Sequence, residues 1–140
     1  MPVPAETSTT RLYVMRAMYL MNFALLGKGV WLDIFNHVGP WDPMIGVAYS
    51  FWAALSTLSV LGLRYPLRML PVLLLQMAYK IIWLLVVARP QWSVLQSTEI
   101  FKAMSIGVVL DLIVIPWPYV FANYVREPGD RWRPAPARRA

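Results

Sequence analysis

Two charged residues, Lys80 and Asp111, lie inside long apolar stretches of this 140-residue sequence. A charge near the centre of a hydrocarbon layer costs about 2.5–3.5 kcal/mol even on a lenient insertion scale, unless a partner or a function accounts for it. Lys80 lies 8 residues before Ala88, and Asp111 lies 9 residues after Lys102. At a helical rise of about 1.5 Å per residue, both lie about 12–14 Å below the same helix ends. The spacing therefore predicts an ion pair near the middle of a bilayer.

Other polar side chains fall at a similar depth in the remaining apolar stretches. Gln76 lies one helical turn from Lys80 and on the same helix face. We expect a ligand-binding layer made of Asn22, Ser50, Gln76, Lys80 and Asp111. Polar groups that converge in an apolar interior can hold the polar head of a ligand. The alternative is an inert ion pair that fixes the register of two helices.

Four stretches with few charges indicate the fold class. They cover roughly residues 12–32, 44–63, 67–88 and 102–124, and each is long enough to cross a hydrocarbon core of about 30 Å. The composition agrees, because only 14% of the residues are charged, against about 25% in soluble domains. The sequence predicts an all-α, four-helix transmembrane bundle over residues 1–125. A basic, disordered tail is expected over residues 126–140.

Basic residues are distributed unevenly between the two predicted sides of the membrane. With both termini on one side, that side carries nine arginines, and the other carries only Lys28, Arg89 and Lys102. The positive-inside rule then places both termini in the cytoplasm of a multi-pass protein of the bacterial inner membrane. Orientation thus explains the net charge of +6, and no nucleic-acid partner is expected.

Prolines interrupt the third and fourth stretches. Pro116 and Pro118 lack the N–H groups that would bond to the carbonyls of Leu112 and Val114. Because freed carbonyls need partners in hydrocarbon, we expect this part of the fourth span to face protein or water beside Asp111. Pro71 is expected to bend the third span slightly near its start.

Small residues at a spacing of four mark one face of the second stretch: Gly46, Ser50 and Ala54. Small side chains allow another helix to approach closely. We expect this face to bind a membrane-protein partner or a second copy of the chain.

Several classes of site are excluded or disfavoured. The chain has no cysteine and one histidine, which excludes disulfides, thiolate metal sites and bis-histidine haem, and no cofactor is predicted. His37 with Asp33 and Asp42 offers a surface metal site, against the alternative of a solvated loop histidine. Trp52 and Trp83 lie deeper than the other tryptophans and can flank a hydrophobic ligand. No enzyme is expected, because no nucleophile accompanies Lys80 and Asp111.

Three segments resemble those of small uncharacterised bacterial four-span membrane proteins: 63–71 (LRYPLRMLP), 115–119 (IPWPY) and 128–132 (PGDRW). The organisation is also similar to the DoxX-like group, in which an arginine opens the first span and a Gly-Lys pair closes it, as Arg16 and Gly27-Lys28 do here. This resemblance implies a small membrane partner in redox or export systems and carries over no catalytic residue. Lys80 and the Pro116–Pro118 pair depart from that pattern.

Two functions remain open from the sequence. The first is a non-enzymatic accessory subunit or partner-binding membrane protein. The second is a small binding or transport protein, with a homodimer as one option, that holds a polar or amphipathic ligand at the Lys80–Asp111 layer. The second requires a polar route from Lys80 to one face. Lys28 and Ser50 are expected along an outer route, and Gln76 and Arg68 along an inner one.

Overall fold

The computed structural model describes residues 7–129, of which 83% are helical, and these residues contain no strand. The predicted all-helical class is therefore confirmed. Five helices follow one another: α1 over residues 9–36, α2 Pro43–Arg64, α3 Leu70–Leu95, α4 Glu99–Val114 and α5 Trp117–Arg126. Length and composition allow α2 and α3 to cross a membrane, and α4 with α5 adds a third span if this bent pair is counted as one. Most of the tail predicted at 126–140 lies outside the described residues.

Three helices contain π-helical segments, of which Phe121–Arg126 forms the end of α5. In α1, the segment Asn22–Gly27 lies between the α-helical parts Thr9–Met21 and Lys28–Asn36. In α3, the segment Trp83–Ala88 follows the α-helical part Leu70–Ile82. π-Helical turns are frequent at functional sites, and the one in α1 begins at a residue of the predicted polar layer.

A side chain caps the start of α2. The Asp42 carboxylate accepts hydrogen bonds from the backbone N–H groups of Met44 and Ile45, at 2.9 and 3.0 Å. Pro43 occupies the first turn of α2, where its missing N–H costs nothing. Pro71 likewise lies in the first turn of α3, which begins at Leu70 rather than near residue 67. A bend within α3 at Pro71 is therefore not seen, because Pro71 lies at the start of this helix and the turn before it is not part of it.

Helices α1 and α2 run antiparallel and approach closely at two glycines. The Tyr19 ring lies against Gly62, where a Cβ atom would collide with three ring atoms. The Tyr19 hydroxyl donates a 2.9 Å hydrogen bond to the carbonyl of Pro66, which holds the ring in place. Further along, a Cβ atom on Gly27 would lie 3.3 Å from the Ser56 side chain.

We call the end of the molecule with the 65–69 connection the near end, and the end with the 37–42 and 96–98 connections the far end. The near half is filled by an apolar plug, which consists of Met15, Met18, Tyr19, Leu70, Leu73, Val114, Ile115 and Val120. Leu70, Leu73 and Ile115 are fully buried within it. Large apolar side chains also cover the outside of the helices, with Leu25, Val47 and Val86 each more than 60% exposed. Such a surface suits a lipid environment.

The stretch predicted as one span at 102–124 is broken into α4 and α5, which meet at an angle of 72°. The break falls at Pro116. The carbonyl of Leu112, freed as predicted, accepts a 2.9 Å hydrogen bond from the indole N–H of Trp117. Val114 belongs to the apolar plug. The freed carbonyl of Leu112 thus has a protein partner, as the sequence predicts, and Val114 packs against protein in the near half.

Candidate functional site

A chain of hydrogen bonds joins α1, α3 and α4 in the interior. The Lys80 ammonium donates to Asp111 Oδ2 at 2.9 Å. Gln76 Nε2 donates to Asp111 Oδ1, and Asn22 Nδ2 donates to Gln76 Oε1 at 2.6 Å. We call these four residues the polar network. The structure thus brings together four of the five residues that the sequence singles out.

The members of the polar network differ in their access to the surroundings. Asp111 is fully buried and Gln76 is 1% exposed, whereas the Lys80 side chain keeps 11% of its surface exposed. Within the described residues, every buried side-chain nitrogen and oxygen has a hydrogen-bond partner. A buried charge pair of this kind is tolerated because each charge has both a counter-charge and hydrogen bonds.

Gly107 positions Lys80, although the sequence did not indicate it as a site residue. A Cβ atom on Gly107 would lie 2.8 Å from the Lys80 ammonium nitrogen and 3.0–3.1 Å from its last two methylenes. The lysine side chain therefore lies across α4 only because residue 107 has no side chain. The available signal was that Gly107 lies four residues before Asp111, which puts the two on one helix face.

Ser50 is not part of the polar network, which corrects the sequence prediction. Its residue is exposed on α2, whereas the buried serines of that helix are Ser56 and Ser59. Both donate to carbonyls of their own helix, Ser56 to Ala53 and Ser59 to Leu55, each at 2.9 Å. Counting along the helix gave the depth of Ser50 but not its direction. Six residues rotate a side chain by about 240° around the axis, so Ser50 points away from Ser56.

A cavity of about 390 Å³ lies directly above the polar network, toward the far end. Asn22, Gln76 and Lys80 line its inner part, and Asp33 lines the part near the far end. Its walls come from all of α1 to α4 and include Leu26, Val30, Tyr49, Trp52, Tyr79 and Met104. On α1 the lining extends from Asn22 to Asp33, a span of 12 residues and a rise of about 16 Å. The cavity therefore connects Lys80 with the far end.

Of the two polar routes predicted from the sequence, the structure has the outer one, with other lining residues than expected. Neither Lys28 nor Ser50 lines the cavity, because both are exposed on the outside of their helices. Asp33, Tyr49 and Trp52 line the outer route instead. Toward the near end, Arg68 is exposed and the apolar plug lies between it and Gln76. The described residues therefore provide a route to the far end and no polar route to the near end.

The inner part of the cavity is rich in hydrogen-bond donors. A lysine ammonium carries three N–H groups and an amide nitrogen carries two. After the bonds of the polar network are made, Lys80 keeps two N–H groups, and Asn22 and Gln76 keep one each. The charges of Lys80 and Asp111 cancel. Asn22 Oδ1 remains as one acceptor beside these donors. The arrangement is therefore suited to a head group that offers mainly hydrogen-bond acceptors, with no need for a large net charge.

The alternative metal site at the far end does not form. Within residues 7–129, no three His, Cys, Asp or Glu side chains come together as potential metal ligands. The side chains of Asp33, His37 and Asp42 therefore do not form a metal site. His37 stacks instead on Trp41, with ring centroids 3.6 Å apart. The Trp41 ring in turn packs against the Tyr49 ring, with centroids 5.1 Å apart.

Comparisons of this chain with protein families, with curated protein sequences and with solved structures find no match. The resemblance to DoxX-like proteins therefore remains an expectation from the sequence. The function has to be argued from the polar network and its cavity.

Proposed function

We propose that this chain is a small, non-enzymatic multi-pass membrane protein that binds an amphipathic ligand, with the ligand's polar head on Lys80, Asn22 and Gln76. The observation that carries the proposal is the cavity that connects Lys80 with the far end. An ion pair with only a structural role needs no such access. The sequence left this function as the second choice, and the cavity now favours it over the accessory subunit.

The membrane setting of the proposal rests on where apolar and polar side chains lie. Large apolar side chains cover the outside, while the polar network lies inside. In the proposed arrangement α1, α2, α3 and the bent pair α4–α5 are the four spans of a bundle in the bacterial inner membrane. The positive-inside rule places both termini in the cytoplasm. The far end, with the cavity mouth at Asp33, then faces the periplasm.

The chemistry of the ligand follows from the cavity lining. The free N–H groups of Lys80, Asn22 and Gln76 require acceptors such as carbonyl or carboxylate oxygens. The walls above them are mostly apolar and aromatic, so a short hydrocarbon part has to follow the head. Cavities of about 300–1,000 Å³ with this mixed lining are typical of small-molecule sites.

The proposal is tested with short amphiphiles that dissolve in water: hexanoate and hexanamide offer acceptors, whereas hexyltrimethylammonium offers none. We expect saturable binding of the first two, and none of the third, to the protein in lipid nanodiscs by titration calorimetry. The double variant Lys80→Met with Asp111→Leu should bind at least about tenfold more weakly, which corresponds to a loss of about 1.4 kcal/mol.

The matched control removes the surface ion pair on α4, Lys102→Met with Glu99→Leu. That pair is separated by 2.7 Å, and both side chains are more than half exposed. Its removal should leave hexanoate binding unchanged. The proposal is contradicted if the wild-type protein binds neither acceptor probe, or if binding survives the loss of Lys80 and Asp111.

A second candidate function, a partner-binding subunit, is favoured by the exposure of the small residues on α2. Ser50 and Ala54 are exposed, and a Cβ atom on Gly46 would meet only Trp41, at 3.8 Å. This face is thus free of contacts with the other described helices and is proposed to dock a membrane-protein partner or a second copy.

Ser50→Leu should prevent such docking, because close helix approach needs small side chains. The mass of the detergent-solubilised protein, measured by light scattering, should fall from that of a complex to that of a single chain. Ile45→Phe serves as the control, because Ile45 is exposed on the same helix and lies about 140° around its axis from Ser50. A wild-type protein that already has the mass of one chain, with no co-purified subunit, rules out this second function.

A further inference from the structure

A second cavity of about 450 Å³ lies between α2 and α3, on the lipid-facing side of the far half. Its lining is apolar and includes Met44, Val47, Ala48, Ile82, Trp83 and Val86. Val47 and Val86 are 64% and 66% exposed, so this groove is open to the outside of the helices. We call it the lateral groove.

The lateral groove adjoins the cavity above the polar network. Three residues line both spaces: Trp52 from α2, Tyr79 from α3 and Met104 from α4. One layer of side chains therefore separates the free N–H groups around Lys80 from the lipid-facing surface. Methionine is unbranched and adapts its shape readily, so Met104 is the member of this layer best suited to move.

We propose that the lateral groove holds the hydrocarbon chain of the ligand, which is a single-chain amphiphile taken up sideways from the bilayer. The inference rests on the proposed function, because it needs the acceptor head to lie on Lys80. The wall that the two spaces share supports this occupant, since a chain attached to a head at Lys80 reaches the groove past Trp52 and Tyr79 once Met104 moves aside. A slot between only two helices suits one chain rather than two.

The head and the hydrocarbon chain of such a ligand contribute differently to its binding free energy in a bilayer. Lipid tails are as apolar as the groove, so moving a hydrocarbon chain from the bilayer into the groove yields little hydrophobic free energy. The affinity must therefore come from the head on the polar network, and the groove selects for chain number and shape. Blocking the groove should then affect long-chain ligands and leave short ones unaffected.

The test uses hexadecanoic acid with a photoactivatable diazirine at the end of its chain, added to the protein in nanodiscs. After illumination, peptide mass spectrometry should find the label concentrated on residues 44–48 and 82–87. An excess of hexanoate should reduce this labelling at least fivefold, because both probes compete for the polar network. A methyl ester of the same probe distinguishes a neutral carbonyl head from a carboxylate as the preferred acceptor.

Two variants and a matched control complete the experiment. Val86→Trp and Ala48→Phe fill the groove from opposite walls, and each should reduce labelling by the long-chain probe at least fivefold with hexanoate binding unchanged. Leu85→Trp is the control, because Leu85 is 58% exposed, lies next to Val86 and is outside the groove lining. It should change neither the labelling by the long-chain probe nor the binding of hexanoate.

The outcomes separate the two proposals. Even labelling of the lipid-facing surface, or labelling that hexanoate and Val86→Trp leave unchanged, means that only ordinary bilayer lipid occupies the groove and overturns the inference. The proposed function still stands in that case if hexanoate binds. If the wild-type protein binds no hexanoate, the proposed function fails first, whatever the labelling pattern. A label found on a co-purified protein identifies a partner helix in the groove and also overturns the inference.

Discussion

Replacing Lys80 with methionine should lower the free energy of unfolding by about 3–5 kcal/mol, the usual cost of removing one partner of a buried ion pair. Asp111 is fully buried and does not line the cavity. Without Lys80, its carboxylate keeps the hydrogen bond from Gln76 but has neither a counter-charge nor access to water. The measurement is unfolding of the purified protein in detergent, followed by helical circular dichroism.

The reverse change, Asp111→Leu, should cost clearly less. The Lys80 side chain lines the cavity and is 11% exposed, so water that enters from the far end can solvate the ammonium. The double variant should recover most of the loss, because it leaves no unpaired charge. A cycle with Lys102→Met and Glu99→Leu, the exposed pair on α4, should show a coupling of about 1 kcal/mol or less. Equal costs of the two single changes would show that the cavity does not hydrate Lys80. Costs that simply add in the double variant would show that the two charges are not coupled.

The second large effect is expected at Gly62, where α1 and α2 touch. Gly62→Ala should destabilise the protein by about 2–3 kcal/mol, at the upper end of what overpacking a core costs. A Cβ atom at this position collides with the Tyr19 ring. The ring is fully buried and its hydroxyl is tied to Pro66, so it cannot move aside without losing that hydrogen bond.

Gly29→Ala is the matched control for this change. Gly29 also lies within a helix, and a Cβ atom there would have no neighbour within 4 Å. The substitution should be neutral or stabilise the protein by up to about 1 kcal/mol, since alanine favours a helix over glycine. The same unfolding assay applies. A loss at Gly62→Ala no larger than the change at Gly29→Ala would show that the two helices have room to separate.

The sequence was sufficient for the fold class and for the depth of the charged residues. Counting residues along a helix measures distance along its axis, which is why Lys80 and Asp111 were expected at one level and do meet at 2.9 Å. The i,i+4 rule likewise placed Gln76 beside Lys80. The Asp42–Pro43 start of α2 depends on local capping chemistry, which involves only neighbouring residues and is therefore readable from a sequence.

Features that depend on rotation about a helix axis, or on contacts between helices, were not accessible in this way. Ser50 has the right depth and the wrong direction, since one sequence does not show which face of α2 meets α1. The π-helical segment at Asn22–Gly27 changes the rotation of the second half of α1 and leaves no recognisable pattern in the sequence. The angle at Pro116 and the cavity above Lys80 likewise result from packing among several helices.

The apolar plug has a consequence for how this molecule exchanges with the two compartments of a cell. Met15, Met18, Leu70 and Leu73 are buried beneath the polar network, so in this conformation the site is a well with a closed floor. Whether a ligand enters through the far end or through the lateral groove, it meets this closed floor and finds no polar path to the near end. In the proposed arrangement, a concentration gradient across the bilayer therefore drives no transport through this conformation. The molecule in this form would bind its ligand without passing it from one side of the membrane to the other.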